Sequence, residues 1–191
     1  MKKILALILS VIMFTLIFTS CGKSEAENEP TGVSGEITQN SGVLSDFTTT
    51  DIDGKTVNQS VFKGKKLTMV NIWATFCGPC INEMPDLGKI SEDYADKGFQ
   101  IIGIPVDVVD YYGNIDESQV ELAKDIIDET GAVYLHILPS ASLNQAKLSQ
   151  VTSVPETIFV DESGNQVGES YIGSRSMAQW KEIIDGLMEN M

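Results

Sequence analysis

Leu67 to Trp73 form a short, nearly continuous apolar run, the pattern of a strand buried on both faces. The periodicity then changes. Ile81, Met84, Leu87, Ile90 and Tyr94 recur at three- and four-residue spacing, which predicts a helix from Gly78 to about Ala95. Phe99 to Val106 is a second buried strand, and Val120, Leu122, Ala123, Ile126 and Ile127 predict a helix over Glu117 to Thr130, stopped by Gly131. Val133 to Leu138 reads as a short strand and Ser142 to Leu148 as a short helix. Two strands follow, Thr157 to Asp161 and Gln166 to Ile172, around the turn Glu162-Ser163-Gly164-Asn165. A last amphipathic helix runs from Ser176 to Met188, with Met177, Trp180, Ile183, Ile184 and Leu187 on one side. Ahead of all these, Asp46–Thr50 and Thr56-Val57 flank an Asp-Gly turn and predict a small hairpin. The β-α-β opening, the extra central α/β material and the β-β-α ending predict an α/β fold with helices on both faces of a mixed sheet.

The first forty residues follow different rules. Met1-Lys2-Lys3 and the apolar run Ile4 to Phe18 have the layout of a secretory signal. Small residues then precede Cys21 in Thr19-Ser20-Cys21-Gly22, an ending that resembles the bacterial lipoprotein signal. The competing reading is an uncleaved spanning helix, since about 18 apolar residues just cross a bilayer. It leaves Ser20-Cys21-Gly22 unexplained, and we favour lipidation at Cys21. Either reading places the rest of the protein outside the cytoplasm, held to the outer face of the cell membrane. Residues 22–42 are rich in Gly, Ser, Glu, Asn, Pro and Thr, too polar to bury a core, and read as a tether. The expected organisation is a signal peptide over 1–20, a lipidated cysteine and tether over 21–42, and one domain over 43–191.

Composition narrows the classes of function. The 191 residues carry 13 Lys+Arg against 27 Asp+Glu, a formal net charge of −14, and a single arginine, Arg175. That sign opposes nucleic-acid binding. Three cysteines and one histidine cannot complete a four-ligand zinc site unless His136 converges with all three cysteines, so no metal or other cofactor is expected.

The chemistry is concentrated in Cys77-Gly78-Pro79-Cys80, at the end of a buried strand and the start of a helix. First-turn amides have no intrahelical partners, and the positive end of the helix dipole favours a thiolate at Cys77, the expected nucleophile. Pro79 suits the first turn because its missing N–H costs nothing there. Cys80, one turn inward, is placed to attack a mixed disulfide at Cys77 and release the substrate. A purely structural disulfide is the weaker reading, because closing so short a loop removes little chain entropy.

Trp73-Ala74-Thr75-Phe76-Cys77-Gly78-Pro79-Cys80 resembles the WATWCGPC signature of the thioredoxin superfamily, with Phe76 replacing the second tryptophan. The likeness is to the membrane-tethered thiol-disulfide oxidoreductases of TlpA/ResA/CcmG type, and it extends over 43–191. It implies a thioredoxin-like fold, a mixed sheet flanked by helices with an N-terminal β-hairpin and a central α/β insertion. Val154-Pro155-Glu156-Thr157 resembles the second family landmark, where a cis proline lies beside the reactive cysteine and leaves Val154 backbone free to pair with substrate. The resemblance also makes Trp73 a support for the cysteine pair. Glu83, within a Cys-x-x-Glu-x-Pro segment closed by the helix-kinking Pro85, becomes the acid that tunes the pair. Asn71 stands where cytoplasmic thioredoxin has a buried aspartate, which leaves Glu83 the better proton acceptor.

The implied activity is reduction of substrate protein disulfides, with a membrane thiol-transfer protein of CcdA/DsbD type returning electrons. Apocytochrome c or a surface methionine sulfoxide reductase are candidate substrates. Gly-Pro between the cysteines resembles reducing members, whereas Val before the proline also occurs in oxidising ones, so a thiol oxidase is the first alternative. A peroxiredoxin needs Pro-x-x-x-Thr-x-x-Cys, and this chain has Val70 and Ala74 at those places. A Sco-like copper protein would recruit His136, although it spaces its cysteines by three residues. His136 itself reads as a packed or hydrogen-bonded strand residue. Tyr111-Tyr112 lie in a loop predicted on the reactive side of the sheet, where they either contact substrate or pack beneath the loop.

Overall fold

The structure is a computed structural model, and it describes residues 42–191. The apolar leader, the lipidation candidate Cys21 and the polar stretch through residue 41 lie outside the described residues. Thr48–Thr50 (β1) and Thr56–Asn58 (β2) pair antiparallel, with Thr49 opposite Val57. The Asp51 carboxylate closes the turn between them by accepting from the amides of Asp53 and Lys55.

The main sheet is built on Leu67–Trp73 (β3), which is buried along its whole length. Helix Gly78–Tyr94 (α1) carries the chain to Phe99–Pro105 (β4), parallel to β3 in the register Leu67↔Phe99 through Trp73↔Pro105. Helix Glu117–Thr130 (α2) leads to Leu135–His136 (β5), parallel to β4. A short helix, Ala141–Ala146 (α3), precedes Glu156–Val160 (β6), and Gln166–Ile172 (β7) and helix Met177–Glu189 (α4) complete the chain. The strand order is β5-β4-β3-β6-β7, with β6 antiparallel to β3 and β7 antiparallel to β6.

Alternation along each strand divides the apolar side chains between two cores. Val70, Ile72, Ile102, Ile104, Ile158 and Val160 face one way and are covered by Leu44, Phe47, Phe62 and Leu143. Met69, Phe99, Ile101 and Phe159 face the other way and pack against Leu87 and Ile90 of α1 and Trp180 and Ile184 of α4. Toward one end of that second face, Trp73, Cys77, Cys80 and Met84 meet Val120, Ala123, Ile126 and Ile127 of α2. Two successive β-α-β crossovers of one hand place α1 and α2 on the same face. The opposite face is covered by the N-terminal segment, a 3₁₀ turn at Gln59–Phe62 and the short α3.

Besides β1, which begins two residues later than its pattern, two elements are cut short by contacts elsewhere in the fold. The strand expected over Val133 to Leu138 pairs with β4 only at Leu135 and His136. Its following backbone turns to the N-terminal hairpin instead, with Leu138 N–H donating to the Thr50 carbonyl and Ile52 N–H to that of His136. The helix expected over Ser142 to Leu148 stops at Ala146, where Lys147 leaves helical geometry (φ −144°, ψ −47°). The Lys147 ammonium is buried in an ion pair with the Glu156 carboxylate, a contact a continued helix would not make in this conformation.

Candidate active site

The cysteine pair sits where β3 becomes α1. Cys77 is the N-cap residue, in extended geometry, and its Sγ accepts from the Cys80 amide at 3.2 Å. Pro79 lies in the first turn, where no N–H is required. Cys77 and Cys80 are joined as a disulfide. The two sulfurs are unequal in access: Cys80 is fully buried, and Cys77 keeps 6% of its surface in water. An incoming thiol or disulfide therefore meets Cys77 first. The same helix start, with its unpartnered amides, stabilises negative charge on that sulfur when the pair is reduced.

The antiparallel pairing of β6 with β3 brings the Val154–Pro155 peptide, which is cis, to the same place. The Val154 carbonyl oxygen lies 3.6 Å from Cys77 Sγ. The Pro155 carbonyl is held by Gly173 N–H at 2.9 Å. Phe76, immediately before Cys77, is 77% exposed, whereas Trp73 is fully buried in the cluster that contains both cysteines. Trp73 supports the pair from within, and Phe76 presents an apolar ring beside it.

Glu83 lies one turn beyond Cys80 on α1 and is almost fully buried. Asn71 Nδ2 donates to its Oε1 at 3.2 Å, and Arg175 N–H and Trp180 Nε1–H donate to its Oε2 at 3.1 and 3.3 Å. Burial raises its pKa, and these three donors oppose the rise without cancelling it. A buried carboxyl of raised pKa one turn from Cys80 keeps its proton to higher pH than an exposed one, which makes it a candidate proton carrier for the pair. Asn71, the departure from thioredoxin, is thus a donor that holds Glu83 in place, and its other amide hydrogen reaches Thr157 Oγ1.

Sequence patterns point to Glu83 but not to its partners. Trp180 stands in the apolar stripe of α4 and Arg175 in the turn before it, and nothing in their spacing joins them to a glutamate some ninety residues earlier. Asp107 was equally silent. Its carboxylate accepts from Thr75 N–H at 3.0 Å and from Thr75 Oγ1–H at 2.6 Å, tying the loop before Cys77 to the loop after β4.

His136 is buried, edge-on to Trp73 and stacked on Tyr134. Its Nε2 lies 2.9 Å from the Ala132 carbonyl, which can only accept, so the proton resides on Nε2. Burial lowers its pKa to about 4. It is a neutral, packed ring, and no group of His, Cys, Asp and Glu among the described residues is arranged to hold a metal. Tyr111 and Tyr112 do not pack beneath their loop: they are 96% and 84% exposed.

Comparison with known proteins agrees with this geometry. Residues 39–177 match the Redoxin family. The chain is 29% identical over 139 residues to thiol-disulfide oxidoreductase ResA of Bacillus thuringiensis subsp. konkukian, covering 72% of each protein. It is 28% identical over 141 residues to the thioredoxin-like protein YneN of Bacillus subtilis, covering 73% of this chain and 75% of that one. Among solved structures, a thioredoxin-family thiol:disulfide interchange protein from Chlorobium tepidum superposes with a TM-score of 0.64 at 26% identity, over 82% of this chain and 99% of that one. With a thioredoxin-like fold, a cis proline facing a helix-capping cysteine and a match across most of its length, this chain belongs to the Redoxin family.

Proposed function

We propose that this thiol-disulfide oxidoreductase works outside the cytoplasm as a reductase of protein disulfides. The observation that carries the reading is the inequality of the two sulfurs, with Cys77 keeping 6% of its surface in water on a helix N-terminus and Cys80 fully enclosed behind it. In the reduced protein the Cys77 thiolate attacks one sulfur of a substrate disulfide. The substrate S–S bond breaks, a mixed disulfide forms at Cys77, and the other substrate sulfur leaves as a thiolate that takes up a proton. Cys80 then loses its proton and attacks Cys77 Sγ, releasing the second substrate thiol. The substrate gains two electrons and two protons, and the protein is left as the Cys77–Cys80 disulfide. We assign Glu83 to accept and return the Cys80 proton, one turn along the same helix.

The cycle needs a dithiol donor, and a membrane thiol-transfer protein of CcdA/DsbD type supplies one in this proposal. Apocytochrome c haem-site cysteines or a surface methionine sulfoxide reductase are the substrates we favour. Lipidation at Cys21 would hold the domain near that donor. Support for the reducing direction comes from Gly78-Pro79 between the cysteines.

Equilibration of the full-length protein with glutathione or dithiothreitol buffers tests the direction. A reductase is expected below about −220 mV, and a value near about −120 mV would make the protein an oxidase.

A further inference from the structure

We propose that the hairpin from Val109 to Ile115, together with the start of α3, is a second recognition surface for the polypeptide that exchanges disulfides at Cys77, with Tyr111 and Tyr112 as its anchors. The inference rests on the thiol-exchange reading above and deepens it by naming the substrate class. That class is an extended polypeptide segment that presents an aromatic or other large apolar side chain a few residues from its reacting cysteine.

The two tyrosine rings meet edge to face, 5.4 Å apart, and stand almost wholly in water. They are held there by a rigid turn. Val109 and Ile115 form an antiparallel bridge, and Asp110 N–H donates to the Asn114 carbonyl at 2.8 Å. The Asp110 carboxylate accepts from Tyr112 N–H, Asn114 N–H and Asn114 Nδ2 at 2.8, 2.9 and 3.0 Å. A tyrosine side chain on an ordered turn has only two rotatable side-chain bonds and so gives a large contact area at low entropy cost, the property of interface anchors.

The hairpin is continuous with the reactive site. It leaves the end of β4, and Cys77 follows the end of the adjacent parallel strand β3. Val106 N–H donates to the Trp73 carbonyl at 2.9 Å, and Asp107 binds Thr75, two residues before Cys77. Val108, at the foot of the hairpin, is buried in the same cluster as Cys77 and Cys80. Between the hairpin and the start of α3 lies a cleft of about 370 Å³ lined by Val109, Tyr111, Tyr112, Pro139, Ala141 and Asn144.

The strand ends that lead to these features lie side by side at one end of the sheet, in the order β6 (Pro155), β3 (Cys77), β4 (the tyrosine hairpin) and β5 (Pro139). Three strand spacings of about 4.8 Å separate the first from the last, roughly the length of four or five extended residues. A segment paired with Val154 and joined to Cys77 can thus reach the tyrosines without bending back.

The test uses full-length protein and disulfide-linked dimers of a short cysteine peptide, with Trp or Gly placed about three to five residues from the cysteine. The wild type, reduced beforehand with dithiothreitol that is then removed, is expected to reduce the best Trp peptide with a second-order rate constant about tenfold above its Gly counterpart. In Tyr111→Ser/Tyr112→Ser that preference disappears, while the rate with oxidised glutathione and the reduction potential stay at wild-type values. Tyr111→Phe/Tyr112→Phe keeps the rings and is expected to keep the preference, which separates loss of contact from loss of fold. A serine variant that retains the Trp preference, or a wild type that shows none, would overturn the proposal. A wild type that fails to exchange even with glutathione would instead sink the reductase reading on which it rests.

Discussion

Glu83 is held by opposing influences: enclosure by α1, β3 and α4 disfavours its charge, and the donors Asn71, Arg175 and Trp180 favour it. Burial dominates, so the folded protein binds the Glu83 proton more tightly than the unfolded chain does. Below the ordinary carboxyl value of 4.5 the group is protonated in both states and its contribution to stability is fully present. As pH rises from there through the raised folded value, the unfolded chain releases a proton that the folded chain retains, and stability falls. Glu83→Gln cannot ionise. Above pH 4.5 it should therefore lose less stability with rising pH than the wild type, a difference that urea melts across a pH series will measure. Parallel pH dependences of the two proteins would contradict the assignment. The cysteine pair was legible because its chemistry depends on short spacing, Glu83 because three residues make most of a helical turn, and Pro155 through the family resemblance alone. The donors to Glu83 come from distant segments and left no local pattern.

Among the elements, close approach of backbones decides two positions. Gly88 of α1 faces the end of α2, where an added Cβ would sit 2.5 Å from the Gly131 carbonyl oxygen. Backbone cannot swing aside as a side chain can. Gly88→Ala is expected to lower stability by about 1–3 kcal/mol in chemical denaturation, by prying α1 from α2. Lys147 and Glu156 form a buried pair that joins the end of α3 to the start of β6, directly after Pro155. Lys147→Met strands the Glu156 charge and should cost about 3–5 kcal/mol, whereas Lys147→Met/Glu156→Leu should recover most of that loss. A single variant as stable as the wild type would mean that water reaches Glu156. The period of apolar residues gave away α2 and β7, whose observed limits match the pattern. It overextended β5 and α3, because Leu138 and Lys147 are apolar or neutral to helix by local rules and are claimed by partners elsewhere in the fold.

For the whole molecule, the leader and Cys21 carry a prediction of their own, although they lie outside the described residues. If Cys21 is lipidated, intact-mass measurement of protein from a bacterial membrane should find a chain that begins at residue 21 and bears acyl groups. Cys21→Ala should keep all twenty leader residues. A wild type that keeps them too would mean a spanning anchor. The net charge of −14 makes the surface acidic as a whole. On such a surface, Phe76, Tyr111 and Tyr112 stand out as exposed aromatic rings. Local order alone determined the alternation of strands and helices, the capping of a helix by Cys77 and the reactive pair, because those features depend on residues within a turn or a strand of one another. Only the folded chain decided that Asn71, Arg175 and Trp180 converge on Glu83 and that Asp107 ties Thr75 to the loop after β4. Those contacts join segments up to about a hundred residues apart, and strand order and pairing, which bring them together, are properties of the packed sheet.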